Sequence, residues 1–219
     1  MEIKEIIKNF LSLYGIDGRG LTPNPQRGWI VTHPHKDHVP EKGAIYTSPT
    51  FYGTEIFKDM RVSFGKIRDK QGKLLLSVYF GHAKDISRVI NKDLETFHSS
   101  WVYITLVYKI SRREYKEFRG IAVGDLNIQE VPIILEVQKA LELDFWILPS
   151  YGKIDIEQAE DTHGLVEEDD PYALRDRVTE VANKLKETGT YLVSLDHKGG
   201  KPEWADMHLP IITKRKSDD

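Results

Sequence analysis

The sequence contains no cysteine, so it can form neither a disulfide framework nor a thiolate metal site, and it has no cysteine nucleophile. Any bound metal must be held by histidine and carboxylate side chains. The sequence also lacks a run of roughly 18 or more apolar residues, and its first segment, MEIKEIIKNFLSLYG, carries charges through the apolar stretch. We therefore expect neither a membrane span nor a signal peptide, and we predict a cytoplasmic protein.

The net charge is small, formally −3 at pH 7, and provides no overall attraction for nucleic acid. The charges are unevenly distributed, however. Residues 61–92 contain eight Lys or Arg and two Asp, whereas residues 154–170 contain eight acidic residues and no basic one. Charge runs of this kind are usually solvated surface, but the basic segment is also suited to contact phosphates.

The length of 219 residues fits a single domain over 1–219. Apolar residues at helical spacing predict helices over 2–14, 49–59, 129–142 and from 171 to a stop at Gly189. Short β-branched and aromatic runs predict strands over 28–32, 44–48, 74–80, 101–110, 120–124, 144–149 and 190–195. This mixture of alternating and consecutive strands predicts a layered α/β domain with mixed sheets. Residues 1–27 are predicted as a helix and a loop, and 214–219 as a disordered tail.

The segment THPHKDH places three of the eight histidines in one loop, directly after the strand that ends at Thr32. Imidazole and carboxylate groups are the ligands that Zn²⁺, Mn²⁺ and Fe²⁺ accept. The loop supplies four of them, at His33, His35, Asp37 and His38. Two neighbouring metals could be served by this one loop.

Three further candidate ligands stand beside predicted strands: His98 before 101–110, Asp125 after 120–124 and His197 after 190–195. Rigid strands hold ligands in place and the loops at their ends give access. A single His or Asp at such a position is more often a cap or a satisfied polar group. The three gain weight as an ordered series after THPHKDH.

Other residues compete for these roles. His82 is an alternative to His98, and His163 or His208 is an alternative to His197. Tyr151, just past the strand 144–149, could line the site, although a turn explains the sequence PSYGK more simply.

The segment THPHKDH resembles the HxHxDH signature of the metallo-β-lactamase superfamily, and FHSSWVYITL, AVGDLN and VSLDHKG are similar to its later motifs. The resemblance covers about residues 28–200 and implies a four-layer αββα sandwich with the site at one edge. Members usually have several strands and a short acidic motif before HxHxDH. Because only 32 residues precede His33 here, we expect a reduced N-terminal part, and a second copy of the chain could supply a missing layer.

The resemblance also implies a role for each candidate ligand. His33, His35 and His98 would hold a first metal ion, Asp37, His38 and His197 a second, and Asp125 would bridge them. The ligands suit two divalent cations, zinc ions or alternatively manganese or iron, which would lower the pKa of a shared water and stabilise charge on the attacked group. Asp37 could also orient or deprotonate that water. The implied reaction is hydrolysis.

The stretch HVPEKGAIYTSPTFYGTEIF, and AVGDLN followed by DFWILPSYG, are similar to the nuclease branch of DNA cross-link repair and RNA-processing enzymes. This predicts a phosphodiesterase or nuclease, with the basic segment 61–92 helping to hold a phosphate backbone. The 72 positions from Asp125 to His197 are too few for the cap domain that those nucleases usually insert. Two alternatives therefore stay open: a small-molecule hydrolase acting on a lactone, thioester or phosphate ester, and a catalytically silent binding relative.

Overall fold

The computed structural model describes residues 2–32, 39–40, 42–43, 45–47, 65–68, 74–81, 101–152, 171–196 and 199–212. Within these ranges the protein is a mixed α/β structure with three helices and two β-sheets. The predicted layered α/β class is thereby confirmed. The predicted helix 49–59 and the predicted tail 214–219 lie outside the described residues.

The three helices are α1 (Ile3–Leu13), α2 (Ile133–Leu141) and α3 (Pro171–Glu187). Helix α1 agrees with its prediction because its apolar residues form one buried stripe. Helix α2 begins four residues later than predicted. Asn127 and Glu130 first close a turn, in which each backbone N–H donates to the other side chain at 2.7 and 3.1 Å. The helix then starts after Pro132, which needs no hydrogen-bond partner for its nitrogen.

The small sheet consists of three parallel strands, β1 (Tyr14–Ile16), β2 (Gly28–Val31) and β3 (Ile45–Thr47), in the order β1-β2-β3. The sequence pattern predicts β2 and β3 but not β1. Strand β1 has only three residues, with a glycine at its centre, and it follows α1 without a turn. It therefore shows neither an alternating pattern nor the β-branched and aromatic run that predicts β2 and β3. The segment 1–27 therefore contains a strand in addition to the predicted helix and loop.

The large sheet has seven strands: β4 (Gly65–Arg68), β5 (Leu74–Gly81), β6 (Val102–Lys109), β7 (Tyr115–Ala122), β8 (Phe145–Pro149), β9 (Tyr191–Leu195) and β10 (Met207–Leu209). Their order is β10-β9-β8-β7-β6-β5-β4. Strands β4 to β7 are antiparallel neighbours, and β7 to β10 are parallel. Strand β7 starts five residues before its predicted start at 120. The sequence pattern misses this first part because most of its residues are polar and exposed. The short strands β4 and β10 have no predicted counterpart.

The large sheet separates two apolar cores. Helices α2 and α3 pack on one face, where Trp146 and Leu148 of β8 are buried. Helix α1 and the small sheet pack on the opposite face, where Phe145 and Ile147 are buried. Successive side chains of a strand point to opposite faces, so β8 is buried along its whole length. Trp101 belongs to the first core, with its ring 5.8 Å from that of Trp146.

Candidate functional site

Asp125 is the one predicted ligand among the described residues. The others, and two of the alternatives, lie outside them: His33, His35, Asp37, His38, His98, His197, His82 and His163. Within the described ranges no group of three or more His, Asp or Glu could hold a metal ion. The structure does define where the chain enters three of the motifs: Thr32 precedes His33, Gly124 precedes Asp125, and Asp196 precedes His197.

Asp17 fixes the end of β2. It follows β1, has a positive φ of 48°, and is fully buried. Its carboxylate accepts two hydrogen bonds from Thr32, one from the backbone N–H and one from the hydroxyl, each at 2.7 Å. Because a charged acceptor strengthens both bonds, Asp17 holds Thr32, the residue that precedes the histidine-rich segment in the sequence.

Gly124 brings the end of β7 against this pair. A Cβ atom at position 124 would overlap the Thr32 hydroxyl oxygen and the Asp17 carboxylate. Only a glycine allows the backbone to approach so closely without displacing its neighbours. Asp125 is the next residue, so its backbone lies beside the end of β2. Its side chain is buried, with 2% of the residue exposed.

Arg19 connects the end of β1 to the end of β9. Its Nη1 donates to the carbonyl oxygen of Asp17, and its Nε donates to the carbonyl oxygen of Asp196 at 3.1 Å. Arg19 is buried, and its planar guanidinium can serve two acceptors in fixed directions. Arg19 thus links Asp196, which precedes His197, to Asp17, which holds Thr32.

These contacts join the carboxyl ends of strands from both sheets at one edge. Asp17 follows β1, Thr32 follows β2, Gly124 follows β7 and Asp196 follows β9. In α/β proteins this is the edge at which ligands bind, because loops of variable sequence leave a rigid scaffold there. The structure thus brings together the backbone positions that lead into three of the predicted motifs.

Tyr151 supports the loop that carries Asp125. It follows β8 with a positive φ of 46°, and its hydroxyl accepts a hydrogen bond from the Leu126 N–H at 2.8 Å. Burial, with the nearby negative charges of Asp125 and Glu130, raises the pKa of Tyr151 well above 10, against the lowering effects of the Leu126 hydrogen bond and Arg19. Tyr151 is therefore a neutral hydroxyl that fixes the residue after Asp125.

His208, an alternative to His197, lies on β10 at the same edge. Its Nδ1 is 2.7 Å from the Ser194 hydroxyl oxygen, and its Nε2 is 3.9 Å from a carboxylate oxygen of Asp196. Burial lowers the pKa of His208, and the negative charge of Asp196 partly offsets that effect. The ring therefore stands beside the residue that precedes His197, and the choice between the two histidines stays a prediction.

Sequence reasoning misses Asp17 and Arg19. A signal exists in the segment YGIDGRG, where an acidic residue between a short apolar run and a glycine marks a strand that ends in a tight turn. The burial of Arg19 has no local signal, because its two acceptors come from distant parts of the chain.

Comparison with known proteins finds no matching family model, no similar curated protein and no similar solved structure. None of the helices in the described ranges is long and apolar enough to cross a membrane.

Proposed function

We propose that the protein is a metal-dependent hydrolase of the metallo-β-lactamase superfamily, and that it is a phosphodiesterase or nuclease. The observation that carries the proposal is the convergence of Thr32, Gly124 and Asp196 through Asp17 and Arg19. These three residues directly precede His33, Asp125 and His197. Metal ligands that are far apart in the sequence can act on one site only if the backbone positions that carry them lie close together.

The donor chemistry of the proposed site fits divalent cations. Asp125 is a buried carboxylate at the convergent edge, and imidazole with carboxylate is the ligand mixture that zinc and manganese accept. A bound cation pair supplies a nucleophile from water near neutral pH and stabilises charge on the attacked group. In this proposal His33, His35 and His98 would hold one ion, Asp37, His38 and His197 would hold the other, and Asp125 would be a ligand of both.

The residues of the chain then divide the work. Asp37 orients the attacking water or accepts its proton. Asp17 and Arg19 position the loops, since they bind the backbone and side chain that precede the donors. Tyr151 holds Leu126 and so fixes the direction in which the chain leaves Asp125.

The finer fold proposal is a four-layer αββα sandwich. Helices α2 and α3, the large sheet and the small sheet account for three layers. Trp29 and Val31 are 2% and 0% exposed on the other face of the small sheet, apart from the large sheet. Val39, Ile45 and Ile212 pack against these two side chains. In this proposal the helix predicted over 49–59 would form the fourth layer on the same face.

A phosphodiester substrate is favoured over a small ester by the basic segment 61–92, which can neutralise phosphates. The experiment compares bis-p-nitrophenyl phosphate with a panel of thioesters and lactones, using the wild type, Asp37→Ala and the exposed control Asp176→Asn. We expect hydrolysis of the phosphodiester alone, reduced at least about 100-fold in Asp37→Ala and unchanged in Asp176→Asn. Hydrolysis of thioesters or lactones instead would assign a small-molecule hydrolase, and no hydrolysis at all would assign a silent binding protein.

A further inference from the structure

The hairpin of β6 and β7 carries an unusual concentration of exposed cations. Residues 109–119 contain five Lys or Arg and two Glu, in a chain whose formal net charge is −3. Arg112 and Arg113 at its tip are exposed and form no ion pair within the described part of the chain. Exposed charges with no ion-pair partner among the described residues are available to an anionic ligand.

Exposed apolar side chains accompany these cations. Tyr115 is 54% exposed and Ile110 is 49% exposed, two of the five large hydrophobic residues exposed in the described ranges. The ammonium group of Lys109 lies 5.7 Å from the centre of the Tyr115 ring, and that of Lys116 lies 5.0 Å from the centre of the Phe118 ring. An exposed aromatic ring among cations is the arrangement that binds a base and its adjoining phosphates in single-stranded nucleic acid.

The register of the large sheet places a second basic strand near the same end. Leu76 pairs with Tyr108, and Arg68 of β4 pairs with Leu74 of β5. The backbone of Arg68 is therefore at the end of the sheet where the β6–β7 hairpin turns.

We propose that the β6–β7 hairpin, residues 109–119, binds single-stranded nucleic acid, with Arg112 and Arg113 contacting phosphates and Tyr115 stacking on a base. The proposal deepens the proposed function, on which it rests only in so far as the bound strand is also the substrate. Strand β7 has eight residues, so at about 3.3 Å per residue the tip is about 25 Å from the end that leads to Asp125. At most about seven nucleotides span this distance, because each nucleotide advances about 3.4 Å in a strand stacked as in a duplex and further where the strand is unstacked.

The test is the anisotropy of a fluorescein-labelled oligothymidylate of about 15 nucleotides, titrated with protein at several salt concentrations, with its integrity checked on a gel. We expect Arg112→Gln/Arg113→Gln to weaken binding about 20-fold at 0.1 M salt and to flatten the salt slope by about 1.4, because two phosphate contacts are lost. The control Lys4→Gln/Lys8→Gln, which removes two exposed cations of α1, should leave both quantities unchanged.

A second pair of variants tests stacking. Tyr115→Ala should weaken binding about 5-fold or more, whereas Tyr115→Phe keeps the ring and should bind like the wild type. Equal binding by the wild type, the double Gln variant and Tyr115→Ala would overturn the inference. Competition by polyglutamate as strong as by oligothymidylate at equal charge concentration would also overturn it, and would assign the hairpin to an acidic protein.

Hydrolysis separates this inference from the proposed function. The hairpin variants should hydrolyse bis-p-nitrophenyl phosphate at the wild-type rate, because the hairpin and Asp125 lie at opposite ends of β7. Their KM should rise for oligonucleotides longer than about seven nucleotides and stay unchanged for shorter ones. Hairpin-dependent binding without any hydrolysis would support this inference and remove only the proposed function.

Discussion

Asp17 is the residue on which the arrangement of the candidate site depends most. A buried carboxylate is costly to desolvate, and here both oxygens are satisfied by the N–H and hydroxyl of Thr32. The sequence predicts the position of Asp125 because a Gly-Asp pair follows an apolar strand. It does not predict Asp17, since the strand before it has three residues and the partner is 15 positions away.

Replacing Asp17 by Asn should destabilise the protein by about 1.5–3 kcal/mol, because a charged acceptor is lost and an amide N–H₂ must face the N–H or hydroxyl of Thr32. Urea unfolding at pH 7 measures this change. Asp176→Asn, in an exposed ion pair with side-chain exposure of 71%, should change the free energy of unfolding by less than about 0.5 kcal/mol. Equal small effects of the two substitutions would contradict the role given to Asp17.

Tyr151 makes the stability depend on pH in the alkaline range. Burial raises its pKa well above 10, so the unfolded chain loses this proton at lower pH than the folded protein does. The contribution is fully present below pH 10 and is lost as the pH rises from 10 towards the folded-state pKa, at up to about 1.4 kcal/mol per pH unit.

Tyr151→Phe should therefore reduce the slope of unfolding free energy against pH above pH 10. The slope should not vanish, since burial also raises the pKa of Tyr191, and raises that of Tyr14 to about 12. At pH 7 the variant should be less stable by about 1–3 kcal/mol, because the Leu126 N–H loses its acceptor. Urea unfolding at pH 7 and between pH 10 and 11 measures both effects, and an unchanged slope would refute the assignment.

At the scale of elements, length and periodicity decide what the sequence can predict. Helix α1 and strands such as β6 and β8 have long regular patterns, and their predicted bounds agree with the structure within one or two residues. Strands β1, β4 and β10 have three or four residues, as β2 and β3 do. They lack the β-branched and aromatic runs by which β2 and β3 are predicted, and they are defined by pairing with their neighbours. The contact between the ends of β2 and β7 likewise depends on tertiary pairing and has no local sequence pattern.

Gly124→Ala tests that contact. The new methyl group overlaps Thr32 and Asp17, and we expect a loss of about 1–3 kcal/mol from overpacking. Thr32→Ala removes the overlapping hydroxyl, so the double variant should be less destabilised than the sum of the two single variants. Urea unfolding of all four proteins gives this coupling energy. Additive effects would show that the two strand ends do not touch.

At the scale of the whole molecule, two apolar cores pack on opposite faces of the large sheet. The carboxyl ends of β1, β2, β7 and β9 meet at one edge of this structure. The layered α/β class follows from the order of strands and helices in the sequence. The convergence does not, because it depends on a hydrogen bond from Arg19 to Asp196, 177 positions away, and on a glycine at one strand end. Six of the seven proposed ligands lie outside the described residues, so the metal site itself stays a proposal.

Metal content tests the central claim most directly. The wild type, Asp125→Asn and the exposed control Asp176→Asn are purified, stripped with a chelator, reloaded with zinc or manganese, desalted and measured by elemental mass spectrometry. The account predicts about two equivalents of metal per chain in the wild type and the control, and about one or fewer in Asp125→Asn. No bound metal in the wild type, or the same stoichiometry in Asp125→Asn, would contradict it.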